Sequence, residues 1–182
     1  MAQKNNWQQY KDIIERNNIK YLYHFTDREN LESIINNGGL YSWADCKVKG
    51  IDIPKPGGSA QSRQLDTRDN LQNYVRVSFV TQHPMMYVAM NEGRISNPVI
   101  LKIDPKVIWQ EDTKYADRNA TKNGAKVGGE LSDFERIHFN AVKANKHFDL
   151  PEEEQMFFQA EVLVKNFIPL EYITNIANFG IP

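Results

Sequence analysis

Glu161 stands in QAEVLV, a stretch whose other side chains read as a buried strand. Ala160, Val162 and Val164 alternate as a core face does, which puts Glu161, Leu163 and Lys165 on the opposite face. A carboxylate flanked by Ala160, Val162 and Leu163 is costly to bury without a partner, so it either lies on a wet face or is aimed into a cleft. The remaining polar residues narrow the chemistry such a cleft could perform. His24, His83, His138 and His147 show neither HxxxH nor HExxH spacing, and Cys46 is the one cysteine, which argues against a metal site. GGSAQ is not the GxSxG of a serine hydrolase, and neither GGS nor GRIS completes a phosphate loop of the GxxxxGK[ST] kind. What is left is chemistry done by side chains on a bound small molecule.

Taken singly, the other candidates have ordinary structural explanations. His24 in YHF reads as a packed histidine at a strand end, Thr26 as a helix cap, Arg63 as a loop charge and Tyr87 as a core residue on a short helix.

The elements that must position these residues follow from periodicity. Residues 5–17 carry Trp7, Tyr10 and Ile13/Ile14 at helical spacing, and 21–25 form a short aromatic strand. Thr26 and Glu29 fit a capping box before a helix with Leu31, Ile34 and Ile35 on one stripe, stopped by Gly38. The segment 40–72 is rich in Gly, Pro, Ser and charge and reads as a long irregular loop. Residues 73–80 alternate as a strand, HPMMYVAMNEG predicts a short helix ending at Gly93, and NPVILKIDP predicts a strand that KVIWQED continues after a turn. A polar stretch at 114–130 sets Lys114, Arg118, Lys122 and Lys126 against Asp117 and Glu130. A helix over 131–142, the strand with Glu161 and a closing strand in IPLEYITNIAN complete the chain. The expected class is α+β in one domain over residues 1–182, with two long irregular segments.

Hydrophobic content of 41% with 25% charged residues is that of a soluble globular domain. A net charge of -1 argues against a generally nucleic-acid-coating or membrane-binding surface, so any such contact must come from a local patch. One cysteine excludes an internal disulfide, and no apolar run reaches the ~20 residues of a membrane span. The N-terminus MAQKNNWQQYKD lacks the apolar core of a signal peptide, so a cytoplasmic protein is expected.

In their order along the chain, YHFTDRENLESIINNGGL, SRQLD with YVRVSF and HPMMYVA, and QAEVLV resemble the DarT family of DNA ADP-ribosyltransferases, a branch of the NAD-dependent ADP-ribosyltransferase fold. The resemblance runs from about Tyr23 to Ile176 and implies a split antiparallel β core with flanking helices. QAE also resembles the Gln/Glu-x-Glu motif of many ADP-ribosyltransferases, which implies that Glu161 is catalytic and that Gln159, two residues earlier on the same strand face, touches the acceptor. By the same resemblance His24, Thr26 and Asn30 contact NAD, and Tyr87 neighbours the nicotinamide ring. Arg63 becomes the functionally important arginine that holds the NAD phosphates and shapes the acceptor pocket, with Arg68 as the alternative because loop length leaves the register open. Lys122 and Lys126, with Lys114 and Arg118, are the strand-binding candidates; the acidic Glu152, Glu153 and Glu154 must point away from nucleic acid.

The implied function is that of a toxin that transfers ADP-ribose from NAD to a base in single-stranded DNA and releases nicotinamide, without a metal. A carboxylate fixed at the ribose stabilises the oxocarbenium-like sugar as it develops, more than it stabilises ground-state NAD. A base edge paired in a duplex is out of reach, hence the single strand or a flipped base. Thymine and guanine both remain possible targets. The alternatives are transfer to RNA or protein, or a degenerate NAD- or nucleic-acid-binding module. The implied partner is an antitoxin ADP-ribose hydrolase, a macrodomain or similar, and the default state is a monomer.

Overall fold

A computed structural model describes residues 2–181. Helix α1 (Trp7–Arg16) buries Tyr10, Ile13 and Ile14, the stripe that helical spacing requires. Strand β1 (Leu22–Asp27) then runs through a single 3-10 turn into α2 (Leu31–Asn36). The cap of that turn is Asp27 and not Thr26: the Asp27 carboxylate accepts the Glu29 N–H at 3.0 Å. Thr26 is still extended strand, and its hydroxyl accepts a hydrogen bond from Asn30 instead. Gly38, at φ +78°, makes the left-handed stop.

The segment 40–72 is more regular than its composition suggests. It holds β2 (Gly39–Tyr41), α3 (Trp43–Lys49) and α4 (Ala60–Arg68). Each helix starts on a serine cap, with the Ser42 hydroxyl accepting from Asp45 N–H and the Ser59 hydroxyl from Ser62 N–H, both at 3.1 Å. Both helices are short, and each buries a single residue, Cys46 or Asp66, so neither carries an apolar stripe to betray it. Strand β3 (Tyr74–Ser78) and α5 (Pro84–Asn91) match their patterns, with Pro84 in the first turn. After β4 (Pro98–Ile103) the sheet does not continue through KVIWQED; Asp104 caps a 3-10 segment, Pro105–Trp109.

Strands β5 (Lys114–Ala116) and β6 (Val127–Gly128) form a hairpin in the polar stretch. The expected helix over 131–142 is two, α6 (Leu131–Glu135) and α7 (Phe139–Val142), because His138 leaves the helical region at ψ 81° and stacks its ring on Phe157 at 3.6 Å. Strand β7 (Glu161–Lys165) follows, then β8 (Phe167–Pro169). The closing strand is thus only three residues long and gives way to 3-10 turns at Leu170–Tyr172 and Ile176–Phe179.

The main sheet has the order β4-β1-β3-β7-β5-β6 with every neighbour antiparallel, and β2 pairs β8 in a second, two-stranded sheet. This is the α+β architecture with a split antiparallel core. Strand β7 is covered on both faces. Val162 and Val164 join the main core, while Leu163 packs with Leu71, Ala116 and Ala120 in a separate cluster. Burial of that second face explains why Glu161, which shares it, is only 5% exposed. The split lies between β1 and β3, which pair at Tyr23↔Ser78 alone. Beyond that point the His24 side chain replaces the ladder: its Nδ1–H donates to the Arg76 carbonyl at 2.8 Å.

Candidate active site

Where β1 and β3 part, a cavity of about 1000 Å³ opens. Residues of β1 and β3, of α4 and the loop before it, and Glu161 line it. Five cationic side chains line it, Lys47, Arg63, Arg76, Arg94 and Lys122, against the two carboxylates Asp66 and Glu161. A chain of net charge -1 therefore carries a locally positive cleft suited to an anionic ligand.

Glu161 is held by one oxygen. Its Oε2 accepts from Arg76 Nη1 at 2.9 Å and from the Ala120 N–H at 2.8 Å, while Oε1 makes no hydrogen bond among the described residues. Strand register brings the pair together: Glu161 lies opposite Ser78, so Arg76 is its diagonal neighbour on the same face. The other Arg76 amino group donates to Asp66 Oδ1. One guanidinium, 23% exposed, thus bridges two carboxylates whose side chains are 7% and 11% exposed. Burial pushes the Asp66 carboxyl above the usual range even with Arg76 pulling it down.

On the β1 side of the cavity His24, Thr26 and Asn30 come together as expected, with His24 bonded to the backbone of the same Arg76 that clamps Glu161. Because a carbonyl only accepts, His24 carries its proton on Nδ1 and turns a bare Nε2 outward. Burial holds its pKa below the ordinary imidazole value. Asn30 donates to Thr26 Oγ1 at 2.9 Å and to the Lys55 carbonyl at 2.7 Å, and accepts from Lys55 N–H at 2.8 Å. Its amide is therefore engaged with protein, and it fixes the loop ahead of α4. His83, a cavity residue that sequence patterns did not single out, accepts from Met85 N–H through Nδ1, and burial followed by the Arg76 charge pushes its pKa down to about 4.

The structure separates Arg63 from Arg68. Arg63 lines the cavity with its guanidinium 5.7 Å from the Trp43 ring, whereas Arg68 lies outside it, bonded to Asp69 by two contacts of 2.7 Å. Lys122 reaches the cavity rim, but Lys126 does not: it sits across the β5–β6 hairpin, with its N–H on Asp117 Oδ1 at 3.0 Å. Arg118 is taken up by Asp117 and by the Phe157 ring. Tyr87 is 45% exposed and outside the cavity, because α5 turns its Met86 and Ala89 face to the core. Gln159 is outside as well. The strand begins at Glu161, and Gln159 ends the 3-10 segment Glu152–Gln159, so spacing by two does not put the pair on one face.

Arg76, Asp66 and Trp43 were not singled out from sequence. Arg76 had a signal: an arginine between Val75 and Val77 in a buried strand demands a partner for the same reason Glu161 does. Among the described residues no three His, Cys, Asp or Glu side chains cluster as metal ligands would, and no helix is long and apolar enough to cross a membrane.

The family model for DarT, described as an ssDNA thymidine ADP-ribosyltransferase, matches residues 23–179. Among solved structures, DarT from Thermus sp. 2.9 in complex with ADP-ribosylated ssDNA superposes with a TM-score of 0.69 at 20% identity, over 86% of this chain and 79% of that one. The same protein in complex with NAD+ gives 0.61 at 20% identity over 85% and 79%. DarTG from Thermosipho africanus in complex with ADP-ribose gives 0.70 at 20% identity, over 85% of this chain and 42% of that longer one. At such identities these structures establish a shared fold. A search of the curated proteins finds no significant match.

Proposed function

The chain belongs to the DarT family of ssDNA thymidine ADP-ribosyltransferases, and from that premise we propose that Glu161 is its catalytic carboxylate and that NAD occupies the cleft between β1 and β3. The reaction is transfer of ADP-ribose from NAD to single-stranded DNA. The observation that best supports these roles is the clamp on Glu161, one oxygen fixed by Arg76 and the Ala120 N–H and the other unbonded.

As the bond between ribose and nicotinamide breaks, positive charge builds on the sugar carbon and nicotinamide leaves neutral. A carboxylate already fixed in place need not reorganise to meet that charge, so it favours the transition state over the bound ground state. Oε1 of Glu161 is the oxygen that takes a ribose hydroxyl. His24 Nε2 accepts from NAD, and the Thr26 hydroxyl, already accepting from Asn30, has its proton to donate. Asn30 acts as a positioning residue through Lys55. Arg63, supported on Trp43, and the α4 N-terminus capped by Ser59 face the phosphates.

Lys122 and the loop around Asn119 and Thr121 face the acceptor strand. Thymine is the target base, and it must be unpaired for its ring nitrogen to reach the sugar carbon. Modified DNA makes the protein a cytoplasmic toxin, acting as a monomer and opposed by an ADP-ribose hydrolase of the macrodomain kind. The test is to offer labelled NAD with single-stranded DNA, duplex, RNA and protein mixtures. Label is expected on thymine-containing single strands; label confined to RNA or protein would overturn the assignment of acceptor.

A further inference from the structure

Glu161 is not the only carboxylate in the cleft, and the second has no role in cleaving NAD. Asp66 stands on α4 three residues after Arg63, so the two share a helix face that turns to the cavity. Its Oδ1 is held by the same guanidinium that holds Glu161 Oε2, and the other polar group close to the carboxylate is the Trp43 indole N–H, which has no hydrogen-bond partner of ordinary geometry among the described residues. Each acid thus has one oxygen on the Arg76 bridge and a second oxygen off it.

The transfer step leaves a proton to be placed. In a thymine nucleotide N1 carries the sugar, so the one ring N–H is the imide nitrogen between two carbonyls. When that nitrogen's lone pair forms the bond to the ribose carbon, the bond to nicotinamide breaks and its electron pair leaves with the neutral leaving group. The imide proton must then go to a base. It becomes strongly acidic as the new bond forms, so a carboxylate is basic enough to take it.

The charged and imidazole groups lining the cleft can be sorted by what they can accept. Arg63, Arg76 and Lys122 are cationic and have no acceptor to offer. His83 uses its lone pair on Met85 N–H. His24 Nε2 is the other free lone pair, and the function proposed above assigns it to NAD. Glu161 is committed to the sugar. Resting on the function proposed above, we infer that Asp66 is a second catalytic carboxylate, whose Oδ2 takes the imide proton of the acceptor base while Glu161 meets the cationic sugar. Arg76 then serves both acids, keeping them a fixed distance apart on either side of the reacting carbon. Burial of Asp66 itself raises its pKa against the pull of Arg76, in the direction that suits a base working near neutrality.

The experiment is the pH dependence of kcat/KM for transfer to a thymine-containing single strand, in the whole chain and in Asp66→Asn and Asp66→Glu. The wild type is expected to lose activity as pH falls through the raised Asp66 pKa. Asp66→Asn should lower transfer about 100-fold and leave the residual rate without that acid limb, while Asp66→Glu should keep the limb at reduced rate. Melting curves of both variants identify any loss that comes from misfolding, and the limb is read from the fraction that folds. An Asp66→Asn enzyme that keeps the wild-type limb, or that transfers within a few-fold of wild type, overturns the role for Asp66. A wild type that releases nicotinamide but leaves single-stranded DNA unmodified would instead refute the acceptor proposed above.

Discussion

Arg76 offers the sharpest test of how the site is built. Changing Arg76→Met keeps the length and apolar stem of the side chain and deletes the guanidinium. Glu161 and Asp66, 7% and 11% exposed at their side chains, would then share a buried space with no cation between them. Breaking a buried pair by removing one partner costs about 3–5 kcal/mol, and here one deletion orphans two acids. For a chain of 182 residues about 3 kcal/mol corresponds to a fall in Tm of roughly 6–12 °C. The deficit should depend on pH. Asp66 already has a raised pKa by burial, and without Arg76 it rises further. A carboxyl with a folded pKa above its unfolded value favours the fold at low pH and opposes it as pH rises through the folded value. Thermal melts from pH 8 down to 5 should therefore show the gap to wild type closing. The triple variant Arg76→Met, Asp66→Asn, Glu161→Gln should recover most of the loss, since no buried charge remains. An Arg76→Met protein that melts within ~2 °C of wild type at pH 8, or a deficit that does not change with pH, would refute the bridge as described.

Other outcomes follow from the same geometry. Asn30→Ala removes the two-way contact with Lys55, so hydrogen exchange of residues 51–58 should quicken and KM for NAD rise about tenfold, with kcat less affected. Asp27 is fully buried and accepts N–H bonds from Glu29, Ser96 and Asn97; burial alone would raise its pKa, but these bonds outweigh it and hold it low. Its stabilising effect is thus present above the unfolded value of about 3.9 and lost as pH falls through the folded one, and Asp27→Asn should erase that acid-side dependence in denaturant titrations. Tyr87→Ala, outside the cavity, should leave NAD affinity within about twofold of wild type, as measured by calorimetry.

The strands and the Glu161 face were legible because they depend on a period of two and on burial, both written in the residue types. Val75 and Val77, and Val162 and Val164, point where alternation puts them. The helices within 43–68 were not legible, because they are short, capped by Ser42 and Ser59, and stabilised by tertiary contacts rather than by an apolar stripe. Pairing of β3 with β7 was also beyond a single strand's pattern, yet it is what joins Arg76 to Glu161. His24, Thr26, Asn30 and Arg63 were identified by family resemblance and do meet in one cavity, although the Asn30 amide is bonded to the Lys55 backbone. Gln159, Tyr87 and Lys126 lie outside that cavity for local reasons: a strand that starts two residues late, a helix face turned the other way, and a lysine carried on the β5–β6 hairpin.

The role of Glu161 is tested most directly by Glu161→Gln, which keeps the size of the side chain and removes its charge. With NAD and a thymine-containing oligonucleotide, ADP-ribose transfer followed by mass spectrometry should fall about 10³-fold, while NAD affinity measured on the same sample stays within about threefold. Transfer by Glu161→Gln within tenfold of wild type, with NAD bound normally, would contradict a carboxylate poised against the developing charge on the sugar.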